Sequence, residues 1–134
     1  MIITSLSLTD FRNYSEHTFE FSPKTSIILG RNTAGKTNLL ESIFLLATGR
    51  SFKAGSDKEM IAFGKELSRV KAIIEQFMES EAVELETVIT TGQVINIKTP
   101  YKKHLINGVG KRILIFCCVC KSFDNILLYR GIVS

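Results

Sequence analysis

The stretch Ser26-Ile27-Ile28-Leu29-Gly30-Arg31-Asn32-Thr33-Ala34-Gly35-Lys36-Thr37-Asn38-Leu39-Leu40 decides how this chain is read. It opens on a short continuous apolar run, the pattern of a strand buried on both faces. From Lys36 the period changes: Leu39, Leu40, Ile43, Phe44, Leu46 and Ala47 recur at three- and four-residue spacing, with polar Asn38, Glu41 and Ser42 between them. That spacing predicts an amphipathic helix on a sheet, ended at Thr48-Gly49, where glycine suits the left-handed position past a helix terminus. Between strand and helix the residues run glycine, any four, glycine, lysine, threonine, which is the phosphate-loop pattern. Glycines let such a loop curl so that successive N–H groups point at phosphate oxygens, and the helix N-terminus adds its dipole. Lys36 is expected against the β and γ phosphates of ATP, and the Thr37 hydroxyl on Mg2+. A chance match in a glycine-rich turn would require neither the strand before it nor the helix after it.

Outward from this core, alternation of apolar and polar residues over 3–8 and 17–21 predicts an antiparallel pair broken at 10–14. Beyond the helix, 50–56 reads as a loop, and Asp57 is expected to cap a short helix through Met60 and Ile61. Strands are expected over 70–75, 83–89, 94–98 and 104–106, as an antiparallel meander closed by the Asn107-Gly108 hairpin signal. The apolar run 113–120 fits a buried strand or a buried helix equally well. Phe11, Phe19, Phe21 and Phe44 follow strand and helix periods, so they are expected in the core rather than as base-stacking platforms.

The bounds are simple. At 134 residues, 45% of them hydrophobic, the chain is long enough for one domain with a proper core. It has no apolar run of membrane-spanning length and no basic leader followed by an apolar stretch, so the expected compartment is the cytoplasm. The net charge of +4 is unevenly placed: residues 1–97 carry 10 basic and 12 acidic groups, whereas 98–134 carry 7 basic groups and a single acid, Asp124. Cys117, Cys118 and Cys120 fit neither a disulfide framework nor a zinc-ligand spacing. They read as small reduced hydrophobes; a metal site would need His104 as its fourth ligand. Neither His17 nor His104 has a nucleophile or carboxylate at a telling distance in sequence, so no catalysis is assigned to them. Arg50, Lys53 and Lys58 read as a solvated face, with DNA phosphate contact as the alternative. Lys102, Lys103, Lys111 and Arg112, flanking a hairpin, could equally meet a DNA backbone.

Several motifs then fall in one order: Leu8-Thr9-Asp10-Phe11-Arg12-Asn13-Tyr14, Phe21-Ser22-Pro23, the phosphate loop continuing as Thr37-Asn38-Leu39-Leu40-Glu41-Ser42-Ile43, and Leu45-Leu46-Ala47-Thr48-Gly49-Arg50-Ser51. In these the chain closely resembles the N-terminal part of the RecF family of DNA replication and repair proteins. Asp57-Lys58-Glu59-Met60-Ile61, Phe63-Gly64, Leu105-Ile106-Asn107-Gly108 and Lys111-Arg112 extend the likeness to about residue 112. Past that point Ser122, Asp124, Ile126, Leu128 and Gly131 fall where the family has similar residues, while Lys121 and Phe123 replace its usual Phe and Pro.

The resemblance implies an α/β fold, a P-loop NTPase of the ABC/SMC head type. Residues 1–134 would be its N-terminal lobe, incomplete, with mixed and antiparallel strands around the P-loop helix and a diverged segment over 113–134. Heads of this kind, like those of the SMC and Rad50 proteins, bind ATP with Mg2+, form ATP-dependent homodimers with nucleotide between the subunits, and hold DNA in that state. RecF proteins help load recombinase at gapped DNA. The implied partners are therefore ATP, single-stranded or gapped duplex DNA, a second copy and other recombination-mediator proteins, with no membrane. By motif match, Gly30, Arg31, Asn32, Thr33, Ala34, Gly35, Lys36, Thr37 and Asn38 would wrap the phosphates. Arg12 and Asn13 would lie near the nucleotide, and Asp124 near the segment that senses the γ phosphate.

Two departures bear on activity. Thr33 stands where the family has glycine, and a β-branched residue is poorly suited to a positive φ, which implies reduced affinity. The signature motif, the Walker B acid pair and the switch histidine are expected beyond residue 134, so turnover stays open. The rival reading is a catalytically incomplete remnant that acts at most as a nucleotide-binding or interaction module. A small phosphate-loop kinase is the third, and the antiparallel strands argue against its parallel core.

Overall fold

The computed structural model describes residues 2–22, 24, 26–28, 35–75, 81–112 and 126–128. The first part of the phosphate loop, the three cysteines, Asp124 and the apolar run 113–120 lie outside the described residues.

Among the described residues, ten strands and one α-helix are arranged around a six-stranded antiparallel sheet. Strand β1 (Ile2–Phe11) pairs with β2 (Tyr14–Glu20) on one side and with β4 (Leu67–Glu75) on the other. The sheet continues through β5 (Val83–Thr90) and β8 (Lys102–Ile106) to β9 (Val109–Lys111). A second, parallel pair joins β3 (Ser26–Ile28), the strand leading into the phosphate loop, to β10 (Ile126–Leu128). Mixed and antiparallel strands therefore meet in one lobe, as the sequence predicts.

Alternation explains which face is covered. Along β4 the buried residues are Ser68, Val70, Ala72 and Ile74, one on every second position. Val70, Ala72 and Ile74 join Leu6, Leu8 and Phe11 of β1 and Leu85 and Ile89 of β5 in one core. Helix α1 (Lys36–Thr48) covers that face with Leu39, Ile43, Leu45 and Leu46, and ends at Gly49, whose φ of 74° allows its N–H to bond the Leu45 carbonyl at 2.7 Å.

Four expectations are corrected. The strand expected over 94–98 is folded back on itself as a small ribbon of β6 (Gln93–Val94) and β7 (Ile97–Lys98), because Ile95 and Asn96 both take positive φ. The main sheet passes directly from β5 to β8. Asp57 does not cap a helix: Ser56 occupies that position before a single 3₁₀ turn (Asp57–Met60), and the Asp57 carboxylate instead pairs with Lys102 at 3.0 Å. Phe44 is 38% exposed and packs edge-on against Phe52 rather than entering the core. Most consequentially, Glu41 and Ser42, expected on the polar outer face of α1, are both fully buried.

Candidate nucleotide site and the ring of polar contacts beside it

The start of α1 is built on a glycine whose conformation and surroundings both disfavour a side chain. Gly35 has φ 82°, and a Cβ placed there would come within 2.8 Å of both Asn13 Nδ2 and Tyr14 Oη. Backbone sterics and side-chain packing thus select glycine independently. The Tyr14 hydroxyl donates to the Gly35 carbonyl at 3.0 Å, and that same carbonyl accepts the first helical bond, from Leu39 N–H at 2.9 Å. Burial of the Tyr14 phenol pushes its pKa up, which keeps it a donor. Lys36 is buried at the first helical position and Thr37 is exposed beside it. No acidic residue occupies the first turn of the helix, so its partial positive charge is undiminished there.

Residues Arg12 and Asn13 reach this point from the β1–β2 turn, which is closed by the Phe11–Tyr14 pair. The turn is fixed from behind by the 3₁₀ segment: Arg12 N–H donates to the Met60 carbonyl at 2.9 Å and Ala62 N–H donates to the Asp10 carbonyl at 2.8 Å. Asn13 Oδ1 accepts from Asn38 Nδ2 at 2.8 Å, so the turn and the helix start are joined side chain to side chain.

The Arg12 guanidinium turns to Glu41, donating from Nε at 2.9 Å and from Nη2 at 2.8 Å. This bidentate contact raises the Arg12 pKa further, against the opposing effect of its partial burial. Glu41 is 0% exposed and also accepts from the Ser51 hydroxyl. Lys53 Nζ stands 3.7 Å from it and donates to Asn38 Oδ1. Lys53 is therefore exposed but tethered to the helix, rather than one of a freely solvated run. Of the other two cations in that run, Arg50 is exposed, and Lys58 sits over the Tyr101 ring at 5.3 Å from its centroid.

Sequence reasoning did not single out Glu41, Ser51 or Tyr14. The one available signal was Arg12 itself, a residue ill suited to a tight turn unless its side chain is held elsewhere.

Arg50 lies across a groove of about 750 Å³ from the β8–β9 hairpin, whose Lys102, Lys103, Lys111 and Arg112 line the same space. His104 also lines it, bonded through Nδ1 to the Thr87 hydroxyl at 3.0 Å. Burial, with Lys102 nearby, lowers the His104 pKa to about 4 against the opposing effect of Asp57. Among the described residues no group of His, Cys, Asp and Glu is arranged to hold a metal ion, and no helix is long and apolar enough to cross a membrane.

Comparison with known proteins defines the class. The family model of the RecF/RecN/SMC N-terminal domain matches residues 2–112, and the chain belongs to that family. The SMC head domain of Thermotoga maritima superposes with a TM-score of 0.65 at 19% identity, covering 86% of this chain and 40% of its own; this shows a shared ABC-type head fold. Within the family the chain corresponds to the N-terminal part of RecF. It is 46% identical over 133 residues to the DNA replication and repair protein RecF of Gloeobacter violaceus, covering 98% of this chain and 34% of that protein. The RecF of Limosilactobacillus fermentum is 34% identical over 110 residues, covering 82% and 29%. A solved structure of the recombination mediator protein RecF with ATP, in the RecFOR pathway, superposes with a TM-score of 0.70 at 26% identity, over 83% of this chain and 28% of that one. The chain thus spans about a third of the length of the curated relatives it matches.

Proposed function

We propose that this chain, residues 1–134, is the N-terminal lobe of a RecF-type ATPase head that binds ATP with Mg2+ and takes part in DNA replication and recombinational repair in the cytoplasm. The observation that carries the nucleotide part is Gly35, left-handed and packed by Asn13 and Tyr14 at the opening of α1, with Lys36 and Thr37 directly after it. Such a start leaves helix N–H groups for an anion, and the donor set beside it is what a magnesium triphosphate requires. Lys36 supplies positive charge toward the β and γ phosphates, Thr37 a hydroxyl for the metal, and Asn13 and Asn38 neutral amides. Gly30, Arg31, Asn32, Thr33 and Ala34 complete the phosphate loop in this reading. Mg2+, when bound, offsets the negative charge of the phosphates.

The DNA part draws on the names of the relatives, DNA replication and repair proteins, and on the groove between Arg50 and the β8–β9 hairpin, where several cations converge. Single-stranded or gapped duplex DNA, an ATP-dependent second copy and other recombination-mediator proteins are the partners this reading implies. Titration with ATP and Mg2+ by calorimetry tests it: Lys36→Ala abolishes binding, and unchanged affinity in that variant overturns the nucleotide part. Thr33, in place of the family's glycine, favours a second reading, an interaction or nucleotide-holding module without turnover. Lys36-dependent ATP hydrolysis by the purified chain would reject it.

A further inference from the structure

Glu41 is a carboxylate with no access to solvent, and its partners come from two separate segments. Arg12 belongs to the β1–β2 turn, while Ser51 and Lys53 belong to the loop that follows α1. The contacts close into a ring. From Glu41 it passes to Arg12 and along the backbone to Asn13, then through the Asn13–Asn38 bond to the helix start. Lys53 returns it from Asn38 to Glu41. Ser51 acts twice, since its oxygen also accepts from the N–H groups of Lys53 at 3.0 Å and Ala54 at 2.8 Å while its hydroxyl donates to Glu41. The loop is thereby organised by the same hydroxyl that the buried carboxylate holds.

Burying a carboxylate is costly unless it is paired and fully hydrogen-bonded, so a sequence that needed only to close the core at this helix position would carry an apolar residue. Its position also works against anion binding by charge alone, because Glu41 lies one helical turn beyond the residues proposed to meet phosphate. What it provides in return is geometry. We propose that Glu41 is a positioning residue: it ties the Arg12–Asn13 turn and the 51–54 loop to α1, and so holds Asn13, Asn38 and Lys53 around the start of the helix. Lys53 thereby becomes a second cation of the phosphate site beside Lys36. The inference rests on the nucleotide reading above and deepens it.

The test is Glu41→Gln, which keeps shape and removes the charge, in the full chain. Two readouts are taken: amide hydrogen exchange and affinity for ATP with Mg2+, with Lys36→Ala as the non-binding reference. Exchange over 11–14 and 51–54 is expected to quicken at least tenfold, with β4 and β5 changed by less than about twofold, and ATP affinity to fall at least tenfold. Simple removal of a negative charge near an anion would do the opposite, so equal or tighter ATP binding by Glu41→Gln overturns the proposal. Unchanged exchange in the two segments overturns it as well. Lys53→Met, a partly exposed site, guards against a variant that fails to fold: it is expected to weaken ATP binding about threefold to tenfold, and no change sinks the role given to Lys53. A wild-type chain that binds no ATP overturns the nucleotide reading itself, and the positioning role with it.

Discussion

Two tight turns of this molecule each begin on a non-glycine residue at positive φ, and they differ in what holds that residue there. The β8–β9 turn is Asn107-Gly108, with φ of 50° and 78°, residue types that accept the left-handed region readily; a Cβ on Gly108 would meet nothing within 4 Å. The β1–β2 turn begins with Arg12 at φ 52°, a residue with no backbone reason to be there. Its guanidinium is bound by a buried carboxylate and its N–H by the Met60 carbonyl. The first turn obeys local chemistry and serves the hairpin. The second breaks local chemistry and serves the start of α1, where we propose the phosphate site. Backbone strain that persists because its surroundings over-determine it is a mark of a functional place.

Replacing Arg12 with glycine separates the two causes with the largest effect. If φ alone governed the outcome, Arg12→Gly would stabilise the fold, since glycine adopts this conformation freely. The structure predicts the reverse: the variant leaves Glu41 buried without its bidentate partner, and unfolding by urea should show a loss of about 3 kcal/mol, the lower end for a broken buried pair because Ser51 and Lys53 remain. A neutral or stabilising result would mean that the turn is held by backbone alone.

The β8–β9 side responds to pH instead. His104 takes up a proton near 6.5 in the unfolded chain and only near about 4 in the folded one, so its contribution is complete above pH 6.5 and is lost as pH falls toward 4. The gap corresponds to roughly 3 kcal/mol at most. Denaturation midpoints of the wild type and His104→Gln, compared from pH 7 to 4, should diverge across that window; parallel curves would show that the groove leaves His104 unperturbed. In the same hairpin Gly108→Ala should cost about 1 kcal/mol from φ alone, given the open space around it, and a denaturation midpoint equal to that of the wild type would contradict this.

The same contrast explains how much could be read in advance. Helix α1, its glycine terminator, the strands expected over 3–8, 17–21, 70–75, 83–89 and 104–106, and the Asn107-Gly108 turn follow from period and local propensity, and each lies where the sequence predicts it. The phosphate-loop pattern is legible in sequence because its residue types suit one kind of ligand, although residues 29–34 lie outside those described. Glu41 was not legible, since a glutamate between apolar helix positions is ordinarily solvated, and only the tertiary approach of Arg12 and Ser51 makes its burial tolerable. Phe44 failed for the complementary reason: helical spacing puts it near the apolar stripe, and the loop bearing Phe52 gives it an exposed partner instead.

The β6–β7 ribbon supplies the control that neither of the other turns can. Ile95 sits at φ 49°, like Arg12, but it is 80% exposed. It is held through its backbone, Ile95 N–H donating to Glu66 Oε2 at 2.8 Å, a bond that any residue except proline would keep. A β-branched side chain in the left-handed region carries strain, and among the described residues no side-chain contact of the Arg12 kind offsets it here. Ile95→Asn should therefore stabilise the chain by about 0.5 to 1 kcal/mol, read as a raised denaturation midpoint. Arg12→Gly and Ile95→Asn relieve the same backbone conformation, and the prediction is that they move stability in opposite directions. If both stabilise, the ring around Glu41 contributes little; if both destabilise, the ribbon holds Ile95 for a contact of its own.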